Sequence, residues 1–438
     1  MRVSIKGDVV RNPKVEVISS KSYAHRILIA AALSDKVIKV ECNALSKDME
    51  ATADCLRAMG ADIVTEGCSF IVTGIKAPNA KPIEEGVDRI LDCGESGSTS
   101  RFLLPVAAAV NDKATLIGSG KLPTRPFGPL CDALRNNGCS VDSDYIPINV
   151  SGKLNAGIFE IPGDISSQFI TGLLYTLPLL DGDSEIRLTT PLASVDYVNI
   201  TIDVLKKFGI EINIDDKGNY LIKGNQNYTY DGDVLKVEAD WSNAAFLMGI
   251  GALGGELTVT GLNLKSLQGD KEIANHLAKF GASISFPRQV GDSTNITVMN
   301  LLLKGITVDA SNIPDMVPAL SVVAAYANGD TLIKNVERLR IKESDRIATV
   351  SAIINALGGS VDVVEENGHT NMIIHPIEEY KGEEVVIDGA NDHRIVMAAS
   401  MAASVDTRII TIEGAEAVNK SYPGYFDILK ETLGWQIQ

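Results

Sequence analysis

Two alternating kinds of apolar segment run along the chain. In the first, a polar or small-residue turn leads into a helix-length run that is almost wholly apolar. These runs are ILIAAAL, FLLPVAAAV, FITGLLYTLPLL, AAFLMGIGAL, MVPALSVVAAYA and IVMAASMAA, and their turns begin near Ser20, Ser96, Ser166, Asp240, Pro314 and Asp392. Successive starts lie 70 to 78 residues apart. A helix apolar on all sides must be covered on all sides, so this series predicts six buried helices. In the second series an amphipathic helix ends in glycine and a strand follows: LRAMGADI, LRNNGCSV, LKKFGIEI, LAKFGASI and INALGGSV. The glycines are Gly60, Gly138, Gly209, Gly281 and Gly358, and Gly434 ends a looser sixth copy. Glycine just past the last periodic residue is the left-handed cap that stops a helix.

Between the buried and the amphipathic helix of each unit stands a short β-rich run: KVIKVEC, ATLIGSG, SEIRLTT, GELTVTG, DTLIKNV and TRIITIEG. The result is a β/α unit of about 75 residues, repeated six times, and such a period decides architecture before any motif does. Six units divide as three plus three. The expected fold is an α/β protein of two domains, each an inside-out α/β barrel with buried helices inside and sheets outside, the two facing each other across a cleft. The polar stretch NQNYTYDGDV, residues 225–234, marks the passage between halves, and a second crossing is expected near residues 17–20. The expected domains are therefore residues 19–235, and residues 1–18 together with 236–438. The units lack the short uniform period of solenoid repeats.

Composition narrows the function. A chain of 438 residues, 45% hydrophobic and 22% charged, can bury the cores of two or three domains. Forty Lys+Arg against 56 Asp+Glu leave a formal charge of −16, which argues against nucleic acid and anionic lipid as partners. An anion site must then be a local basic cluster. The start MRVSIKGDVV has no apolar run behind a basic end, so a cytoplasmic protein is expected. The apolar runs stop well short of the ~20 residues that span a bilayer. The six cysteines, Cys42, Cys55, Cys68, Cys93, Cys131 and Cys139, form no C-x-x-C pair and read as buried or idle thiols rather than metal ligands.

Cations gather at the turns that open the helices: Lys21, Arg26, Arg101, Arg125, Lys342, Arg346, Arg394 and Lys420. A helix N-terminus carries positive dipole and favours anions, so cations there need another reason. One reason is a site for phosphate or carboxylate, with Arg supplying bidentate geometry and Lys a point charge. The other is pairing with carboxylates such as Asp48, Asp92 or Asp345. Polar residues share these turns: Ser22, Ser98, Ser166, Ser167, Gln168, Ser194, Tyr197, Gln268 and Asn391. Serine and asparagine also serve as helix caps. Three consecutive polar residues, Ser166-Ser167-Gln168, exceed what a cap requires and point to a hydroxylated substrate. Asp315 and Glu343 are the carboxylates among these cations and are candidates for general acid and base work, although Asp315 could instead cap a helix. His393 adjoins the basic cluster and could orient a phosphate or share a proton; His25 is a weaker candidate.

The motifs SSKSYAHR (19–26), GESGSTSR (94–101), TRPFG (124–128), SSQF (166–169), IPD (313–315), RIKESDR (340–346), NDHR (391–394) and KSYP (420–423), in this order, resemble the 3-phosphoshikimate 1-carboxyvinyltransferase family of enolpyruvyl transferases. The resemblance runs nearly end to end. It implies two domains of three units closed by a hinge, with the first strand completing the C-terminal half. It also implies transfer of the enolpyruvyl group of phosphoenolpyruvate to the 5-hydroxyl of shikimate 3-phosphate, through a tetrahedral intermediate, with loss of phosphate. No cofactor or metal is implied, and the expected state is a monomer whose partners are its two small-molecule substrates. Shikimate 3-phosphate would be held by Lys21, Ser22, Arg26, Ser166, Ser167, Gln168, Ser194, Tyr197, Asp315 and Lys342. Phosphoenolpyruvate would be held by Lys21, Gly97, Arg125, Gln168, Arg346, Arg394 and Lys420, with Arg101 nearby. Asp315 would deprotonate the hydroxyl; Lys342 and Glu343, with Lys21, would complete the catalytic set.

Three positions depart from the family pattern: Glu95 stands where many members carry asparagine, Ile18-Ser19-Ser20 precedes the first lysine in place of proline, and Gly424 replaces an acidic residue. A carboxylate at Glu95 would weaken anion binding unless paired or turned away, so inhibition by glyphosate is left open. The sister enzyme that uses UDP-N-acetylglucosamine carries Lys-Asn in its first motif and a cysteine in its mobile loop. Here the pair is Lys21-Ser22, and GSGKLPTR from Gly118 has no cysteine.

Overall fold

The computed structural model of the protein describes residues 1–80, 86–290 and 293–438. The chain divides into two compact units, Lys21–Val237, and Met1–Ser20 together with Glu238–Gln438. Among the described residues six four-stranded sheets account for the strands of both units, three sheets in each.

One repeat shows how each is built. The strand Arg89–Asp92 runs into the helix Gly97–Val110, which returns to a parallel strand, Lys113–Ile117. The helix Gly128–Asn136 follows, and the hairpin of Ser140–Val141 and Ile148–Ser151 closes the sheet antiparallel to Lys113–Ile117. The first helix of each repeat is the buried one. Along Trp241–Gly254 every residue through Leu253 is buried, and Val317–Ala325 is buried throughout. The second helix keeps one wet face: Val195–Lys207 buries Val198, Ile200, Thr201, Val204 and Leu205 only. Both series read from the apolar pattern are therefore present, with a strand between them as expected.

A buried helix leaves its first N–H groups without water, and side chains must satisfy them. Ser96 accepts from Thr99 N, Ser166 from Gln168 N, Asp240 from Asn243 N and Asp392 from Arg394 N. At the far ends of Ile273–Phe280 and Arg346–Leu357, Gly281 and Gly358 take φ of 112° and 107°, a conformation that costs a residue with Cβ about 1 kcal/mol or more.

Three plus three is not a simple cut of the chain. The sheet containing Val37–Glu41 takes its leading parallel strand from Val234–Lys236, at the end of the third repeat. The sheet containing Gly255–Leu262 takes its leading strand from Val10–Glu16, and Arg2–Lys6 pairs with Ile409–Glu413 in the last sheet. N-terminal residues thus complete two sheets of the unit that holds the C-terminus. Gln268 pins the place where the chain leaves and re-enters this unit. Its Oε1 accepts from Ser20 Oγ (3.2 Å) and Trp241 N (3.0 Å), and its Nε2 donates to Ala239 O (2.8 Å). Gln268, grouped by sequence with ligand-holding polar residues, is in this structure spent on the crossing.

All six cysteines are free thiols, and all but Cys68 are buried. Among the described residues no helix is long and apolar enough to cross a membrane.

The end of the interior strand His369–His375 carries a pH-sensitive clamp. Its Nδ1 lies 2.9 Å from Asp330 Oδ1 and its Nε2 3.2 Å from Asp362 Oδ2, and these two bonds hold the imidazolium above the usual histidine range. A raised folded-state pKa stabilises below the unfolded value of about 6.5, and the contribution is lost as pH rises through the folded value. NMR titration of His375 is expected to show a midpoint above 6.5, and D330N and D362N should each lower it; a midpoint unmoved by both removes the clamp.

Candidate active site

In the unit holding the C-terminus, polar residues converge on Arg346, the first residue of the helix Arg346–Leu357. Its side chain is 1% exposed and meets three carboxylates. Nη1 donates to Asp315 Oδ1 at 2.7 Å, Nη2 to Glu343 Oε2 at 2.8 Å, and Nε to Asp392 Oδ2 at 2.8 Å, with a second Nη2 bond to Asp392 Oδ1 at 3.2 Å. Burial opposes the charge on Arg346, but Asp392, Glu343 and Asp315 outweigh it and drive its pKa up. Burial likewise works against the Asp392 carboxylate, and Arg346 more than compensates, holding it below the usual range. Removing one member of so dry a cluster strands an opposite charge, at a cost of about 3–5 kcal/mol.

Asp315 gathers the other cations. It lies in the 3₁₀ turn Pro314–Met316, where it caps no helix. Arg394 Nη2 donates to its Oδ2 at 3.1 Å, and Lys342 Nζ stands 3.4 Å from its Oδ1. Burial pulls the Lys342 ammonium below the usual lysine range, with Asp315 partly offsetting and Arg338 and Arg346 adding to the fall. Lys420 Nζ donates to Asn391 O at 2.7 Å. That carbonyl belongs to a tight turn in which Ala390 and Asn391 hold φ of 50° and 52°. His393 is 2% exposed and its Nδ1 is 3.9 Å from Asp392 Oδ1.

The other unit places Lys21, Ser22 and Arg26 on the buried helix Lys21–Ala32. Lys21 Nζ is 2.9 Å from Asp48 Oδ2, the pairing left open by the sequence. Arg26 is 2% exposed and engaged with its own unit: Nε donates to Thr201 Oγ1 (2.9 Å), Nη1 to Ser22 O (2.8 Å) and Nη2 to Tyr197 O (3.0 Å). Burial brings its pKa down to about 10. Arg101, five residues into its helix, stacks between Phe127 and Phe169 with its guanidinium carbon 5.1 and 5.5 Å from the ring centres. Its Nη1 donates to Gln168 Oε1 at 2.8 Å while Gln168 Nε2 donates to Ser98 Oγ at 3.0 Å, so the Gln168 amide is oriented from both ends. Ser166 caps its helix and Ser167 is buried in the first turn. Ser194 adopts φ 55°, ψ 48° at the start of Val195–Lys207, which carries Tyr197. Backbone strain in residues with Cβ concentrates at functional sites.

The Arg125 guanidinium lies directly on Gly97: a Cβ there would stand 2.6 Å from Arg125 Nη1, so the arginine would have to move aside for any larger residue. Glu95 packs on Gly120, where a Cβ would lie 2.2 Å from its Oε2. His25 is 1% exposed and its pKa is lowered well below 6.5 by burial and by Lys21 and Arg26, so it stays neutral. Its Nδ1 joins Thr52 Oγ1 (2.6 Å), which joins Thr99 Oγ1 (2.7 Å) and through it Ser96 Oγ (2.7 Å), tying three helices together.

Lys21, Arg346 and Arg394 stand in the first turn of their helices, as expected. Arg26 and Arg101 lie a turn deeper, Lys342 and Arg125 just past 3₁₀ turns, and Lys420 at the end of one. Carboxylates, carbonyls and aromatic faces, rather than free helix ends, hold them. Sequence reasoning took Asp392 for a helix start alone; it is at once the cap and the bidentate partner of Arg346, and a capping aspartate in sequence looks no different.

Residues 7–429 match the family model described as EPSP synthase (3-phosphoshikimate 1-carboxyvinyltransferase). The chain is 40% identical over 433 residues to the 3-phosphoshikimate 1-carboxyvinyltransferase of Clostridium acetobutylicum, covering 98% of this chain and 96% of the relative. It is 39% identical over 431 residues to that of Clostridium novyi, covering 97% and 95%. Among solved structures it resembles the EPSP synthase of Acinetobacter baumannii (TM-score 0.79, 23% identity, covering 100% of this chain and 99% of that one). It also resembles the enolpyruvyl transferase NikO of Streptomyces tendae (TM-score 0.76, 17% identity, 100% and 98%). At those identities the two structures speak for the fold alone.

The left-handed Ala390 yields a direct test. Glycine takes φ of 50° without steric cost, so A390G should stabilise the protein by up to about 1 kcal/mol, read as a higher melting temperature. A melting temperature that falls would show that Ala390 is not strained.

Proposed function

The chain belongs to the EPSP synthase (3-phosphoshikimate 1-carboxyvinyltransferase) family, and from that premise we propose which of its groups carry the reaction. The enzyme is a transferase of the shikimate pathway to aromatic amino acids; it moves the enolpyruvyl group of phosphoenolpyruvate to shikimate 3-phosphate. The observation that carries the proposal is Asp315, a carboxylate held 2.7 Å from Arg346, 3.1 Å from Arg394 and 3.4 Å from Lys342.

Asp315 takes the proton of the 5-hydroxyl of shikimate 3-phosphate as that oxygen bonds to C2 of phosphoenolpyruvate. Lys342 and Glu343 supply a proton to C3, giving a tetrahedral intermediate. The C2–O bond to phosphate then breaks, the C3 proton returns, and phosphate leaves. Arg394, Lys420, Arg125, Lys21 and the second Nη1 hydrogen of Arg346 neutralise the phosphate and carboxylate of phosphoenolpyruvate. Lys21, Ser22, Arg26, Ser166, Ser167, Ser194 and Tyr197 hold shikimate 3-phosphate, and the oriented Gln168 amide serves both substrates. Asp315 thereby has a double use. Without substrate its charge satisfies the cations; once substrate anions occupy them, the carboxylate is released to act as a base. The same reading has the enzyme working as a monomer in the cytoplasm.

The test is phosphate release from purified protein with phosphoenolpyruvate, adding shikimate 3-phosphate or UDP-N-acetylglucosamine separately. Release with shikimate 3-phosphate alone is expected. D315N should depress turnover by about 10²–10⁴ while shikimate 3-phosphate still binds. Parent-like turnover in D315N removes Asp315 from the chemistry, and release with the sugar nucleotide alone overturns the substrate.

A further inference from the structure

One carboxyl beside this cluster has no part in the reaction just described. Asp270 lies in the 3₁₀ turn Gly269–Glu272 and is 3% exposed. Ser242 Oγ, in the first turn of the helix Trp241–Gly254, donates to its Oδ2. Its turn packs on the helix Trp241–Gly254, and that helix packs in turn on the turn Pro314–Met316, which carries Asp315, and on the helix His393–Met401, which carries Arg394. Asp315, Arg394 and Asp240, the last at the start of Trp241–Gly254, are the charged groups that act on the Asp270 carboxyl. Arg394 gives its Nη2 bond to Asp315, while the Asp270 carboxyl accepts from the neutral hydroxyl of Ser242.

We propose that Asp270 is a positioning residue for the transfer: its carboxylate, fixed by Ser242 within electrostatic reach of Asp315 and Arg394, offsets the cations around Asp315 and strengthens it as a base. The proposal rests on Asp315 being the base. Three cations contact Asp315 and each weakens its hold on a proton; a neighbouring buried negative charge acts the other way. Two carboxyls in one dry site do not ionise independently, and they share protons as a pair. Burial and the charge of Asp315 raise Asp270 to about 6, with Arg394 and the Ser242 hydrogen bond opposing. Above that pH Asp270 is charged and supports Asp315; below it the support is withdrawn.

The experiment is the pH profile of kcat, with KM for each substrate, for the parent, D270N, S242A and D315N. Asparagine keeps the shape of Asp270 and can still accept from Ser242 while removing the charge. D270N should lower kcat about 10-fold with KM values changed less than about twofold, and move the acid limb to lower pH, since Asp315 loses a neighbouring negative charge. S242A removes the hydrogen bond that favours the Asp270 carboxylate, so its turnover should fall near neutral pH and recover as pH rises. A merely structural Asp270 would cost thermal stability and leave the limb in place. Profiles of D270N and S242A that superimpose on the parent, with D315N inactive, overturn the role of Asp270 and leave Asp315 standing. Parent-like turnover in D315N overturns both.

Discussion

A guanidinium buried to 1% among three carboxylates is the constraint from which the catalytic half takes its shape. Arg346 cannot lose its charge, and at 1% exposure it has carboxylates rather than water for partners, so Asp315, Glu343 and Asp392 are drawn close around it. Asp315 and Glu343 are the two groups assigned to proton transfer, and Asp392 caps the helix that carries Arg394. One side chain therefore fixes both groups proposed to move protons and the start of the helix that carries Arg394 relative to each other. The same electrostatics lets Lys342, Arg346 and Arg394 stand together, because Asp315 balances all three locally.

The repeat makes this convergence possible. Each unit brings one buried helix to the middle of its domain, and the buried helix must be capped by a polar residue at its start. The residues proposed to carry the reaction cluster at or near those starts. Asp315 and Arg346 come from the fifth repeat, Asp392 and Arg394 from the sixth, and Asp240, Ser242 and Asp270 from the fourth. In the other unit the hydrogen-bond chain from His25 through Thr52 and Thr99 to Ser96 ties together the helices Lys21–Ala32, Lys47–Ala58 and Gly97–Val110. Caps, strain and ligand groups are therefore the same residues or immediate neighbours, and stability and function draw on the same turns.

Much of this was legible in the sequence, for a physical reason. All-apolar runs and glycine stops are local signals, and six copies made them unambiguous; the glycines at 281 and 358 adopt the left-handed caps that the pattern required. The borrowed strands were less visible. Val234–Lys236 is three residues long, and nothing in three residues names the sheet they will join. At the site, counting cations at helix starts singled out Lys21, Arg26, Arg101, Arg125, Lys342, Arg346, Arg394 and Lys420, but cation count does not say what else each cation touches. Arg26 bonds carbonyls and a hydroxyl, and Arg101 lies on aromatic faces and bonds Gln168, partners that no cation count shows. Asp270 was invisible because its neighbours Ser242, Asp315 and Arg394 are distant in sequence.

The measurement that bears most directly on the role of Arg346 is urea unfolding of R346K, followed by its turnover. Lysine keeps the charge but has a single point donor group, which cannot bridge three carboxylates in a fixed plane. If Arg346 organises the site, R346K loses about 3–5 kcal/mol of stability and most of its turnover, despite an unchanged net charge. A lysine variant that unfolds at the parent's midpoint and turns over at the parent's rate would show that charge alone suffices, and that the three-way geometry is not what holds the site together.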